Sequence, residues 1–143
     1  MFRNKNQAYT LVELVLVVTI IGILSGVGVM SYSKSRDKAL SREAIANLKL
    51  IAAAEKIYKM EDSGGDYVAC NCSNTTSCNN TSGCNTRLKL NLNPTNWRYG
   101  VSTGSGGSTA TITVTGVAIS GCNYTLTSAN FVSENYSKTS SCP

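Results

Sequence analysis

From Leu11 to Met30 the chain is an almost unbroken run of apolar side chains and glycines, interrupted by Glu13, Thr19 and Ser25. With its flanks it extends from Tyr9 to Tyr32, and as a helix of about 24 residues it measures roughly 36 Å. That is enough to cross a bilayer core of about 30 Å. A secretory signal peptide has a shorter apolar region and a small-residue cleavage site after it. Here the order is reversed: residues 1–8 (MFRNKNQA) are polar, carry Arg3 and Lys5, and precede the apolar run. The pattern predicts a membrane anchor that stays with the chain.

Beyond Ser33 the apolar period becomes helical. Leu40, Ala44, Leu48, Ile51 and Tyr58 recur at spacings of three, four and seven, giving one face of an amphipathic helix that reaches about Glu61. Ala46, Leu50, Ala53 and Ile57 form a second apolar face, roughly opposite. A helix lying on one small sheet needs only the first face. The second has two readings: alanine used for helix propensity, or a surface that packs against neighbouring molecules. Ser63-Gly64-Gly65-Asp66 ends the helix.

After that break come Cys70 to Asn85 (CNCSNTTSCNNTSGCN), too poor in apolar residues to build a core and read as a loop held by its own cysteines. Strand patterns follow, with period two: Leu88, Leu90 and Leu92, then Trp97, Tyr99 and Val101, then Ala110, Ile112 and Val114, then Cys122, Tyr124 and Leu126. Gly104-Ser105-Gly106-Gly107 reads as a hairpin connection, and Gly116 and Gly121 mark further bends. One apolar face per strand predicts an antiparallel meander of three or four strands covering one helix face. The fold class is α+β. Its divisions are 1–8, a leader; 9–32, the membrane helix; and 33–143, a head. Within the head, 33–62 is helix, 63–86 the Cys-rich loop and 87–143 the sheet with a closing loop.

Charge and chemistry narrow the function. The net charge is +5, but Arg87, Lys89 and Arg98 are the only basic residues between Lys59 and Lys138, too few for a nucleic-acid groove. There is no His, and no carboxylate lies between Asp66 and Glu134. Acid–base and hydrolytic metal chemistry therefore lack obvious players, so no enzyme and no cofactor are expected. A carboxylate-rich calcium cage is equally hard to assemble. The six cysteines are Cys70, Cys72, Cys78, Cys84, Cys122 and Cys142. The spacing C-x-C-x5-C-x5-C suits zinc poorly. Disulfides are expected instead, with three pairings open among the first four.

Glu13 is the anomaly. A carboxylate at the centre of a membrane helix costs about 2.5–3.5 kcal/mol, and less near the interface. It stands four residues after Tyr9. It is either an interfacial acid or the partner of a new α-amino group made by cleavage before Tyr9.

The segment from Gln7 to Leu24 resembles the prepilin cleavage and methylation signature of type IV pilins and type II secretion pseudopilins. The resemblance lies in the basic leader, Ala8 before the cut, the aromatic Tyr9 after it, Thr10-Leu11, Glu13-Leu14 and Ile20-Ile21-Gly22-Ile23-Leu24. It implies cleavage by a prepilin peptidase between Ala8 and Tyr9 and methylation of Tyr9. Glu13 would then pair with a neighbouring subunit's N-terminus during assembly. The residue before the cut is usually Gly in the family and is Ala8 here. Many pilins also have a proline where this chain has Met30, and Gly22, Gly26 and Gly28 fill that stretch instead. These glycines lower helix propensity by roughly 1 kcal/mol each, or they permit close helix packing.

The resemblance further implies a Cys122–Cys142 bridge and a structural filament subunit. The alternatives within the family are a secretion pseudopilin or a minor pilin with a tip-binding role. Implied partners are the chain itself as a helical polymer, other pilins or pseudopilins, the prepilin peptidase and an inner-membrane assembly platform. The subunit would first reside in the inner membrane with its head extracytoplasmic, then in a surface or periplasmic filament. A count of basic residues, with Lys34, Arg36, Lys38 and Arg42 after the helix, points the other way. The resemblance and the cysteines set the orientation taken here.

Overall fold

The computed structural model describes residues 10–133 and 135–143, and for residues 27–30 the backbone alone. The chain divides into two compact units, Met1–Arg36 and Asp37–Pro143. Helix α1 runs Leu11–Glu61. Within the first unit the apolar side chains from Leu11 to Leu24 are all exposed, and this stretch is long and apolar enough to cross a membrane.

In the second unit, the part of α1 from Asp37 onward turns Ser41, Ala44, Leu48, Ile51, Ala52 and Glu55 inward. The sheet it covers has five strands: β1 (Cys70–Cys72), β2 (Trp97–Thr103), β3 (Ala110–Gly116), β4 (Asn123–Thr127) and β5 (Ser137–Lys138). Their spatial order is their sequence order, and every pairing is antiparallel. Because side chains alternate across the pleat, Trp97, Tyr99, Val101, Ile112, Val114, Tyr124 and Leu126 all face the core. The Trp97 and Tyr124 rings meet edge to face with centroids 5.7 Å apart.

Side-chain hydrogen bonds tie the helix to the rest of this unit. Asn47 donates to the Tyr99 hydroxyl at 2.8 Å, Lys56 to the Phe131 carbonyl at 2.6 Å, and Asn96 to the Glu43 carboxylate at 3.2 Å. Val68 N–H donates to Glu55 Oε2 at 3.1 Å. Each satisfies a polar group that apolar packing would otherwise strand.

Three expectations are corrected. Residues 70–85 are not a coreless loop: they contain β1, α2 (Thr75–Asn79) and the start of α3 (Cys84–Arg87), and all four of their cysteines are buried. The bridges are Cys70–Cys84 and Cys72–Cys78, so the sulfurs themselves supply the apolar interior the segment lacks. A Cβ on Gly83 would collide with the Cys78 carbonyl, which explains a glycine at that crossing.

The second correction is the leucine run, which is not a strand. Leu88 and Leu92 are buried and Leu90 half-buried, but Lys89 has φ 53°, which breaks an extended path. The Asn85 side chain accepts from Leu92 N–H at 2.7 Å and donates to the Leu92 carbonyl at 3.1 Å. An amide side chain thus replaces the neighbouring strand. The third is the strand count: the sheet has five strands where three or four were expected, because the short β1 and β5 add to its two edges. Ser105–Gly107 connects β2 to β3 as expected, and Cys122 is bonded to Cys142.

Candidate functional site

Ala8 and Tyr9 lie outside the described residues, as does Glu134. Thr10 is the first residue described, and its hydroxyl accepts from Glu13 N–H at 3.3 Å. A Thr-x-x-Glu start of this kind is half of a capping box, with the acid in the first helical turn where the helix dipole favours it. Sequence reading singled out Glu13 but missed its local partner, although Thr10 three residues earlier was the available signal. Glu13 is exposed.

Gly22 and Gly26 are helical, and a Cβ at either would meet nothing within 4 Å. Among the described residues of their own unit, nothing requires glycine at those positions. For Gly28, the surroundings lie outside what is described beyond its helical backbone.

The second apolar face of α1 is exposed in the head: Ala46, Leu50, Ala53 and Ile57 have no cover from the sheet, and Leu50 and Ile57 are 47 % and 56 % exposed. Leu50, Ala53 and Ile57 line a groove of about 430 Å³ whose other wall is Leu88 and Leu90. The Cys70–Cys84 bridge closes the segment just before that wall.

Glu55 was not anticipated. It is fully buried, Oε2 accepts from Val68 N–H, and Oε1 has no partner among the described residues. Desolvation pushes its pKa up to about 7, while the Val68 hydrogen bond opposes the rise. Its position four residues after Ile51 and seven after Leu48 was the signal for burial. Burial likewise raises the Tyr99 hydroxyl, against the Asn47 bond, which lowers it.

The outer face of the sheet is polar. Cross-strand rows read Arg98–Thr115–Asn123, Asn71–Gly100–Thr113–Thr125–Ser137, and Ser102–Thr111–Thr127. Gly100 is the one position in these rows without a side chain, and Arg98 the one charge. Among the described residues no group of His, Cys, Asp and Glu is placed to hold a metal ion.

Residues 3–29 match a family described as the prokaryotic N-terminal methylation motif. Over 60 residues the chain is 37 % identical to the type IV major pilin protein PilA of Myxococcus xanthus (strain DK1622), covering 42 % of this chain and 27 % of that protein. The alignment thus spans about a quarter of that relative's length. No solved structure matches the chain. The likeness is thus to an N-terminal methylation motif over residues 3–29 and to part of one type IV major pilin, and in this chain the long helix is followed by a small antiparallel sheet.

Proposed function

We propose that this chain is a structural subunit of a type IV pilus-like filament, cut between Ala8 and Tyr9, methylated on Tyr9, and polymerised through its N-terminal helix. The observation that carries the reading is the stretch Leu11–Leu24, exposed along its whole described length and broken near its start by Glu13. Such a surface is tolerated in lipid. Once outside lipid it needs other apolar helices, and identical copies supply them at the same spacing.

Glu13 then sets the register. In the membrane pool its carboxylate lies near enough to the interface to keep water. In a helix bundle that water is lost, so an unpaired charge is expensive and one paired with an incoming subunit's α-amino group is tolerable. Any axial offset that leaves either charge alone is penalised. The exposed face of Ala46, Leu50, Ala53 and Ile57 extends the same apolar contact into the head.

On this reading the prepilin peptidase and an inner-membrane assembly platform are partners, the head is extracytoplasmic, and the disulfides suit that compartment. The chain is a building block and not a catalyst. Mass spectrometry of subunits from sheared surface filaments tests the proposal. The expected N-terminus is Tyr9 carrying one methyl group. Met1, or an N-terminus beyond Leu24, in assembled material overturns it.

A further inference from the structure

The Cys-rich segment is built from two kinds of contact, and they divide its two bridges. Between Cys72 and Cys78 the bonds are local. The Asn74 side chain accepts from Ser77 N–H at 2.8 Å, and the Ser77 hydroxyl accepts from Asn74 N–H at 2.9 Å and from Ser73 N–H at 3.0 Å. Cys78 N–H donates to the Asn74 carbonyl at 2.9 Å. Asn74 and Ser77 thus make a complete capping box at the start of α2, and its single turn carries Cys78 back to Cys72.

Cys84 is placed by contacts of longer reach. Asn71 N–H donates to the Ser82 carbonyl at 3.2 Å, and the Arg87 guanidinium donates to the carbonyls of Ala69 at 3.0 Å and Thr81 at 3.1 Å. Gly83 lies against the Cys78 and Ser77 carbonyls, where a Cβ would collide, so α2 is part of the seat on which Cys84 arrives.

Loop closure alone does not choose the partner of Cys78. Reaching Cys70 closes a ring only two residues larger than reaching Cys72, and closure entropy grows slowly with length. The capped turn does choose: it starts directly after Cys72 and returns Cys78 to that residue, leaving Cys70 for Cys84. We propose that Asn74 and Ser77 are positioning residues for disulfide formation, making Cys72–Cys78 the first bridge of this segment and so directing Cys70 to Cys84. The reaction is exchange with a disulfide oxidant, either glutathione disulfide or the disulfide of a thiol oxidase. One cysteine thiolate attacks the oxidant, forming a mixed disulfide and releasing one thiol; the other thiolate then displaces the second thiol. The cysteine pair loses two protons and two electrons, and the oxidant is reduced to two thiols. None of this depends on the filament reading.

The test reoxidises the full chain, first reduced and unfolded in urea, by dilution into detergent micelles with glutathione disulfide. Samples quenched by alkylation at intervals are mapped by tandem mass spectrometry. In the parent, Cys72–Cys78 should appear while Cys70 and Cys84 still alkylate. Asn74→Ala should slow that first bridge about fivefold, the size of a lost cap, and raise the share of Cys70–Cys78. Asn74→Asp keeps a capping oxygen and should restore the parent's rate. Gly83→Ala should leave Cys72–Cys78 at the parent's rate and delay Cys70–Cys84. The first bridge is read before the sheet forms, so a variant that never completes the head still reports. Cys70–Cys84 closing before Cys72–Cys78, an Asn74→Ala rate equal to the parent's, or equal losses in Asn74→Asp and Asn74→Ala would overturn the assignment.

Discussion

Glu55 Oε2 accepts a hydrogen bond from Val68 N–H at 3.1 Å, joining the last turns of α1 to the chain that enters β1. One oxygen is satisfied, and the other has no partner among the described residues. The folded pKa, about 7, lies above the ordinary 4.5. Below about pH 4.5 the group is protonated in both states and costs nothing. As pH rises towards 7 the unfolded chain ionises first, so stability falls, and it levels off above 7. The full span is on the order of 3 kcal/mol. Urea unfolding followed by Trp97 fluorescence should show this fall, and Glu55→Gln should flatten it and be more stable than the parent at pH 8. A parent profile that rises from pH 5 to 7 would show that the carboxylate is ionised in the fold.

Glu13 should be dispensable for membrane insertion and needed for assembly. Glu13→Val should leave normal amounts of membrane-resident subunit and few or misassembled filaments, while Glu13→Asp, with its shorter reach, should assemble in part. Electron microscopy at matched subunit levels reads the difference. Normal filament yield from Glu13→Val would remove the acid from the assembly mechanism.

The outward face of α1 separates stability from assembly. Ile57 is half-exposed and opposite the sheet-facing stripe, so Ile57→Asp should change head stability by less than about 0.5 kcal/mol. It should nevertheless cut filament yield sharply. A fall in stability of several kcal/mol would place Ile57 in the folding core instead.

All six cysteines should resist alkylation until reduced, and peptide mapping should return Cys70–Cys84, Cys72–Cys78 and Cys122–Cys142. The last closes a sequence separation of 20. Replacing both Cys122 and Cys142 by Ser should lower head stability by about 3 kcal/mol on the chain-entropy account. Zinc copurifying in stoichiometric amount would contradict the assignment.

Local chemistry was readable from the chain alone. The apolar run, Glu13, the helix face of Ala44, Leu48 and Ile51, and the alternation in β2, β3 and β4 depend on spacing along the sequence, and spacing fixes which side chains share a face. The α+β class followed from those periods. What lay beyond reach was long-range pairing. Four cysteines allow three pairings, and the fold takes Cys70–Cys84 and Cys72–Cys78. Leu88, Leu90 and Leu92 alternate as a strand does, but the Asn85 amide takes Leu92's backbone and Lys89 turns the chain aside. The helical spacing of Glu55 after Leu48 and Ile51 signalled its burial, but its partner, the Val68 N–H, comes from a segment that only the tertiary fold brings to it.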